Sequence, residues 1–350
     1  MEDRMSDHLV EEILPPVSVD VPEAADFLAA VDVKNALELE GYGTDELSYT
    51  AAESLPGWHD ETQPIRLFVV RADGRIVARV FFSTLRDDVT GTAWLGGGVL
   101  PDYRNRGIGS ALLSHVESIA REAGLKRLIL YVVSADGPGD RLVPPTGFGS
   151  VPRDNAEVRF LVARGFALEQ VERASRLALP ARVSFTVPAG YRVHTWVGRT
   201  PENWLADVAH LLTRMSTDAP SAGLEEPEDV WTADRLRENQ ERFEASPRTE
   251  LFAVVEHEAS GRLVGFSVLS APAELDRPVG QEDTLVLAEH RGHRLGMLLK
   301  TANIEHLQRA RPGHPAIITF NAEENRHMLD VNEAVGFVPI GYEGAWKKEL

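Results

Sequence analysis

The sequence predicts an α+β protein built from two tandem copies of one domain. Gly74-Arg75 recurs as Gly261-Arg262, and Arg104 recurs as Arg291 at the same separation along the chain. Each copy places an apolar strand, a Gly-Arg turn, a second strand, a loop with arginine and glycine, a helix and a Gly-Phe pair in one order. A shared order at a constant separation is the signature of a duplication.

Local patterns predict the individual elements. A helix is predicted from Pro22 to Gly41, because proline favours the first helical turn and glycine ends helices. Helices are also predicted from Thr200 and from Thr232, and residues 167–179 are predicted as the last strand of the first copy. After each loop, apolar residues recur at helical spacing, namely Ile108, Leu112, Val116 and Ile119 in the first copy and Leu295, Leu298, Leu299 and Ala302 in the second.

The domain boundaries follow from the repeat and from composition. Residues 1–20 are acidic and contain adjacent prolines, which predicts a loosely held arm. Residues 21–182 form the first predicted domain and residues 183–350 the second. The Gly/Pro-rich stretch 134–152 accommodates extra residues in the first copy. A chain of 350 residues is long enough for two domains of ordinary size.

Composition and charge exclude several classes of function. The chain has no cysteine, which excludes disulfides, thiol catalysis and zinc-thiolate sites. The absence of a signal-peptide pattern, and of an apolar run of roughly 20 residues, predicts a cytoplasmic protein without a membrane partner. A net charge of −18 disfavours nucleic acid and favours a small, cationic partner, although acidity also serves solubility alone. Monomer and homodimer both remain open.

The two loops are candidate phosphate sites. Arg104-Asn105-Arg106-Gly107-Ile108-Gly109 and its counterpart Arg291-Gly292-His293-Arg294-Leu295-Gly296 each lead into a helix. The first backbone N–H groups of a helix lack partners within the helix and lie at the positive end of its dipole, which suits pyrophosphate. The sequence therefore predicts a phosphorylated cofactor.

The order strand, Arg-x-x-Gly-x-Gly loop, helix, strand and Gly-Phe resembles the GNAT superfamily of acyl-CoA-dependent N-acyltransferases, twice over nearly the whole chain. The tandem arrangement is similar to that of mycothiol synthase. The resemblance implies that each domain is a mixed, mostly antiparallel sheet, splayed at its centre and flanked by helices, with the pantetheine of acetyl-CoA in the splay. It implies cofactor contacts from Val99, Leu100, Arg104, Asn105, Arg106, Gly107, Ile108, Gly109 and Ser110, and from Val286, Leu287, Arg291, Gly292, His293, Arg294, Leu295, Gly296 and Asn325.

The two copies depart from the family pattern in complementary ways. The strand Trp94–Val99 of the first copy carries no carboxylate, so this domain is predicted to bind CoA with weak or no catalysis. The second copy offers Glu282 and Asp283 as general base, but Arg294 replaces the first loop glycine and restricts the backbone. In an extended strand only one of the two carboxylates faces the acceptor, and Asp283 is favoured. The second domain is therefore predicted to carry the catalysis.

Other positions take their roles from the resemblance. Asn332 stands at the usual place of a helper tyrosine and can donate a hydrogen bond to the CoA sulfur, whereas Tyr342 on the next strand can deliver a proton. The backbone of Val286 and Leu287 can stabilise the thioester oxygen. Asn325 is either a cofactor contact or a helix N-cap. His290-x-x-His293 lacks a third ligand nearby, so no metal is predicted.

The expected function is an acetyl-CoA-dependent N-acetyltransferase that acts on a small-molecule amine by direct attack in a ternary complex. The alternative is a non-catalytic acyl-CoA sensor or scaffold, since each copy lacks one part of the pattern. Peptidyl transfer from aminoacyl-tRNA fits poorly with the net charge of the chain.

Overall fold

The computed structural model describes residues 8–218 and 220–350, which form two compact α+β units. The first unit contains the described chain through Val171, together with Ser221–Pro227 and Gly341–Leu350. The second unit contains Glu172–Pro220 and Glu228–Ile340. Each unit therefore includes a strand segment from the other half of the sequence.

Runs of consecutive strands are separated by one or two helices. In chain order the strands are β1 (Val10–Ile13), β2 (Ile65–Ala72), β3 (Arg75–Ser83), β4 (Thr92–Val99), β5 (Arg127–Val133), β6 (Arg141–Leu142), β7 (Val151–Pro152), β8 (Ala167–Ala178), β9 (Tyr191–Val197), β10 (Thr249–His257), β11 (Arg262–Ala271), β12 (Val279–Val286), β13 (Ala316–Ala322) and β14 (Val338–Glu349). The helices are α1 (Ala25–Tyr42), α2 (Ala51–Trp58), α3 (Ile108–Glu122), α4 (Ala156–Ala163), α5 (Leu205–Asp218), α6 (Ala233–Phe243), α7 (Leu295–Ala310) and α8 (Arg326–Val335).

The sheet of the first unit has the order β1-β2-β3-β4-β5-β14. Its neighbouring strands are antiparallel except β4 and β5, which are parallel. The C-terminal part of β14 pairs with β5 from Glu343↔Val133 to Glu349↔Arg127. Helix α3 packs on one face of this sheet, and α1 and α2 pack on the other.

The sheet of the second unit repeats this plan. Its order is β9-β10-β11-β12-β13-β8, and β12 and β13 form its parallel pair. The place that β14 takes beside β5 is taken in this unit by the C-terminal part of β8, which pairs with β13 from Glu172↔Ala322 to Ala178↔Ala316. The mixed, mostly antiparallel sheets predicted from the sequence are confirmed.

Helix boundaries follow the predicted pattern with one instructive shift. Helix α1 continues past Gly41 and ends at Gly43, whose φ of 71° closes the helix in the left-handed conformation. Gly41 has a packing role instead, because a Cβ there would lie 2.3 Å from Val133 Cγ1. Helix α2 was not predicted, because it contains Pro56 and Gly57, which are unfavourable inside helices. It begins with a capping box formed by Thr50 and Glu53.

Part of the predicted N-terminal arm is a strand. Residues 1–7 lie outside the described part of the chain, but β1 pairs with β2. Glu12 accepts hydrogen bonds from Arg66, with Nε to Oε1 at 2.7 Å, and Glu11 pairs with Arg71. These ion pairs hold an edge strand whose acidic composition alone favoured a mobile arm.

Candidate functional site

The two loops adopt one backbone conformation. Gly107 precedes α3 with φ 84° and ψ −7°, and Arg294 precedes α7 with φ 58° and ψ 25°. Arg104 Nε donates to the carbonyl oxygen of Val99 at 3.0 Å, and Arg291 Nε donates to that of Val286 at 3.1 Å. The replacement of glycine by Arg294 therefore leaves the loop geometry unchanged.

An acidic side chain holds each loop arginine. Arg104 Nη1 donates to Glu40 Oε1 at 2.7 Å, and Arg291 Nη2 donates to Asp218 Oδ2 at 2.9 Å. Each arginine thus stabilises the conformation of its loop. The backbone N–H groups of the first turn of α3 and of α7 follow directly after these loops. A Cβ on Gly296 would meet nothing within 4 Å, so the start of α7 is open to a ligand. Both helix starts fit a pyrophosphate.

Beside each loop, the two parallel strands pair only over their first residues. The register of β4 and β5 runs from Thr92↔Arg127 to Leu95↔Leu130, and that of β12 and β13 ends at Gln281↔Thr319. All four strands continue beyond those pairs. Each sheet is therefore splayed at its centre, as the pantetheine of CoA requires if it lies there as an extra strand.

One backbone N–H points into the splay of the second unit. Leu287 N donates to Val264 O at 2.9 Å, which makes these two residues a hydrogen-bonded antiparallel pair. The neighbouring pair Gly265↔Val286 is then non-hydrogen-bonded, so the N–H of Val286 points away from β11. Only Val286 of the two predicted residues can therefore donate to a thioester oxygen. The first unit repeats this pattern, because Leu100 N donates to Val77 O and Val99 precedes it.

A β-bulge places both predicted carboxylates at the apex of the second splay. Ser267 pairs with Thr284 and Leu269 pairs with Gln281, so Val268 alone faces both Glu282 and Asp283. A bulge breaks the strict alternation of side chains. Both side chains are exposed, between the buried residues Gln281 and Thr284. That only one of the two carboxylates faces the acceptor stays a prediction.

Side chains satisfy the carbonyl groups that the bulge leaves without a strand partner. Gln281 Nε2 donates to Val268 O at 2.7 Å. From α7, Asn303 Nδ2 donates to Ser267 O at 3.0 Å and to Leu251 O at 2.9 Å. Because Asn303 is fully buried, the bulge is fixed from beneath by the helix that begins at the loop.

The bulge belongs to a cluster of acidic groups. Desolvation by the surrounding protein raises the pKa of Glu282 and of Asp283, although both residues keep surface exposed to water. Glu250 on β10 is aligned across β11 with Gly280, two residues before Glu282, through the pairs Glu250↔Ser270 and Ser270↔Gly280. Burial, and then the nearby Glu282, raise the pKa of Glu250 to about 7.

Arg248 is the cation of this cluster. Its Nε donates to Ser270 Oγ at 2.8 Å, and its charge opposes the rise in the pKa of Glu282. A Cβ on Gly280 would meet Glu282 Oε1 at 2.6 Å and Arg248 Nη2 at 3.6 Å. Glycine at this position therefore leaves the space that the two charged groups occupy.

The remaining predicted residues have other surroundings. Asn325 Oδ1 accepts the N–H of Met328 at 3.3 Å and caps α8. Asn332 is buried, and its Nδ2 donates to Asn321 Oδ1 at 2.6 Å. Tyr342 belongs to the first unit, where it packs against the core that includes α3. We therefore do not propose it as a proton donor in the second unit.

The two loop histidines form an aromatic cluster. His290 Nδ1 lies 3.0 Å from the hydroxyl of Tyr191, and the Tyr191 ring also contacts His293 and His257. Burial lowers the pKa of His290. In the described ranges, no group of three histidine or acidic side chains could hold a metal ion. No helix within those ranges is long and apolar enough to cross a membrane.

Comparison with known proteins agrees with this geometry. Residues 32–142 match the model of the Acetyltransferase (GNAT) family. The mycothiol acetyltransferase of Thermobispora bispora is 29% identical over 308 residues, which cover 83% of this chain and 90% of the relative. A solved tandem GNAT protein from the clavulanic acid biosynthesis pathway is 25% identical with a TM-score of 0.73, over 97% of this chain and 98% of its own.

Residues 32–142 belong to the GNAT acetyltransferase family, and the protein is similar to acetyltransferases over most of its length. The predicted resemblance to tandem GNAT proteins is confirmed. A GCN5-related N-acetyltransferase from Sphaerobacter thermophilus shares the fold at 17% identity, with a TM-score of 0.64 over 97% of this chain and 95% of its own.

Sequence reasoning missed Glu250. Glu250 stands in the strand Thr249–His257, far along the chain from the loop, and nothing in its neighbours marks it. Glu250 comes close to Glu282 only when β10, β11 and β12 pair in the sheet.

Proposed function

We propose that the protein transfers the acetyl group of acetyl-CoA to a primary amine of a small molecule, by direct attack in a ternary complex in the second unit. The observation that carries this proposal is the position of Glu282 and Asp283 where β12 separates from β13, together with the charge interaction of Glu282 with Glu250 on β10. The site combines a phosphate-binding helix start, a splay for pantetheine and proton acceptors.

The chain's own groups account for the steps. The start of α7 binds the pyrophosphate, and the N–H of Val286 stabilises the negative charge that develops on the thioester oxygen. An amine arrives protonated at neutral pH, so a carboxylate must accept a proton before the nitrogen attacks. The bonded nitrogen then loses its second proton to solvent, and collapse of the tetrahedral intermediate forms the amide and releases the CoA thiolate, which takes a proton from solvent.

Glu250 is the proposed base, directly or through water, and Glu282 and Asp283 attract the ammonium group of the acceptor. General bases work best when their pKa lies near the operating pH, and the pKa of Glu250, about 7, meets this condition. This revises the preference for Asp283. The negative charge of these three carboxylates suits a cationic acceptor. A relative of this chain is named mycothiol acetyltransferase.

The experiment that tests this proposal is steady-state acetyl transfer with a panel of primary amines, using Glu250→Gln, Glu282→Gln and Asp283→Asn. Loss of a general base costs about 10²–10⁴-fold in turnover while acetyl-CoA affinity is retained. Glu258→Gln is the matched control, because Glu258 follows the other end of β10 and pairs with Arg192. Binding of acetyl-CoA without transfer to any amine would instead favour the acyl-CoA sensor.

A further inference from the structure

The first unit holds a carboxylate at its splay that does not come from β4. Glu226 Oε1 accepts a hydrogen bond from the hydroxyl of Tyr131 at 3.0 Å and one from Trp94 Nε1 at 3.5 Å. Glu226 lies in the segment Ser221–Pro227, which follows α5 in the chain but belongs to the first unit. The carboxylate that β4 lacks is thus supplied by a distant part of the sequence.

This carboxylate lies where the two parallel strands separate. Trp94 pairs with Ile129, the last pair is Leu95↔Leu130, and Tyr131 is the first residue of β5 beyond it. By strand alternation Trp94 shares a face with Gly98, and a Cβ on Gly98 would lie 3.1 Å from Leu37 of α1. Glu226 is therefore on the α1 side of the splay, opposite the helix α3 that begins at the loop.

Glycines on β4 explain why the strand has no acidic side chain of its own. A Cβ on Gly96 would lie 2.2 Å from Phe81 Cε1, and a Cβ on Gly97 would lie 2.1 Å from the carbonyl oxygen of Arg79. Side chains at these positions would clash with β3. A proton acceptor at this splay has to come from another segment.

The segment Ser221–Pro227 is firmly attached to the sheet. Leu224 is fully buried against Ile129 and Ala345. Glu225 Oε2 lies 3.1 Å from Arg127 Nη1 and 3.4 Å from Lys347 Nζ. These contacts fix the backbone next to Glu226 on both β5 and β14.

Glu225 and Glu226 differ in one decisive respect. Arg127 and Lys347 neutralise Glu225, whereas in the described part of the chain no arginine or lysine pairs with Glu226. Its two donors, a phenol and an indole, orient the carboxylate without cancelling its charge. One neighbour anchors the segment and the other directs a negative charge into the splay.

We propose that the first unit is a second acetyl-transfer centre in which Glu226 is the catalytic base. Glu226 accepts a proton from the ammonium group of an amine, the nitrogen forms a bond to the thioester carbonyl, and the carbon–sulfur bond breaks. The bonded nitrogen loses its second proton to solvent, the CoA thiolate takes a proton from solvent, and Glu226 returns its proton to solvent. This inference rests on the proposed binding of acetyl-CoA at the loop Arg104–Gly109.

The test uses the full chain with the second loop blocked by Gly296→Glu. Calorimetry with acetyl-CoA first measures the cofactor site of the first unit. Acetyl transfer to glucosamine, putrescine and L-lysine methyl ester, and hydrolysis of acetyl-CoA by water, are then compared between this protein and the same protein carrying Glu226→Gln. Glu225→Gln in the same background is the matched control, because it removes one negative charge from the adjacent residue.

The expected result is that the Gly296→Glu protein retains transfer or hydrolysis, and that Glu226→Gln lowers its turnover at least 100-fold with acetyl-CoA affinity within threefold. Glu225→Gln should stay within fivefold. Equal rates with and without Glu226→Gln would overturn the role of Glu226. Acetyl-CoA bound in the first unit without turnover would overturn the second centre but not its cofactor site. Absence of binding there would overturn both.

Discussion

Arg294 holds the left-handed backbone conformation that Gly107 holds at the equivalent position of the other loop. A non-glycine residue in this region costs about 1–2 kcal/mol. The rest of the loop absorbs that cost, since Arg291 keeps its bond to Val286 O and its ion pair with Asp218. Strain retained at a loop that binds a ligand is typical of functional sites.

Arg294→Gly should therefore raise the free energy of unfolding by about 1 kcal/mol, because it removes the left-handed strain. Urea denaturation measures the change. Arg106→Gly, at the neighbouring position of the first loop, should give no gain, since Arg106 does not have a positive φ and glycine there adds unfolded-state entropy. A lower free energy of unfolding in Arg294→Gly would contradict the view that the backbone of Arg294 is strained.

The cofactor loops should account for two acetyl-CoA sites. Gly107→Glu and Gly296→Glu each add bulk and a negative charge at a helix start that we propose binds pyrophosphate, so each should lower the calorimetric stoichiometry from two to one. Gly124→Glu is the control for strain, because Gly124 also has a positive φ, 71°, but lies at the far end of α3. Unchanged stoichiometry in either loop variant would rule out that loop as a cofactor site.

Glu250 should make folding stability depend on pH. Its pKa is raised from 4.5 to about 7 in the folded protein, so the folded state binds the proton more tightly than the unfolded chain. The contribution to stability is complete below pH 4.5 and is lost as the pH rises through 7. Glu250→Gln should therefore gain stability relative to wild type between pH 5 and pH 8, by about 1–3 kcal/mol. Thermal unfolding across this pH range measures it, with Glu258→Gln expected to show no such trend.

Lys300 should have the opposite dependence. It is fully buried on α7 near the ring of Phe337, and desolvation lowers its pKa from 10.5 to about 7. The folded protein therefore binds this proton less tightly than the unfolded chain, and stability rises from pH 7 to 10. Lys300→Met should stabilise the protein by about 2–4 kcal/mol at pH 6 and by less at pH 9.5. The exposed Lys126→Met is the control in urea denaturation, and an equal gain at both pH values would exclude this mechanism.

Local signals explain what the sequence could predict. The loop Arg104–Gly109 and the helix after it were predictable because glycine and apolar spacing act within one or two turns. Glu282 and Asp283 were found because they precede a loop. The bulge that positions them was not predictable, because it depends on hydrogen bonds to β11 from Asn303 on α7 and from Gln281 on β12.

Contacts distant in sequence explain the rest. Glu250 acquires its raised pKa from burial and from Glu282, two strands away. Glu226 reaches Trp94 and Tyr131 from a segment about which only its acidity was visible. Neither the contact of Glu250 with Glu282 nor that of Glu226 with the two aromatic side chains produces a periodic pattern or a fixed spacing in the sequence.

The C-terminal part of β14 completes the sheet of the first unit, and that of β8 completes the sheet of the second. This arrangement sets an order of events during synthesis. On the ribosome, β1 to β5 emerge first, but the place beside β5 is filled by Glu343–Glu349, which are made long afterwards. Until then the nascent first unit presents an unpaired edge of β5, the kind of edge that promotes aggregation and that chaperones cover. The second half of the chain faces no such delay, because β8 is already made when β13 appears. The unit encoded first is therefore the one completed last.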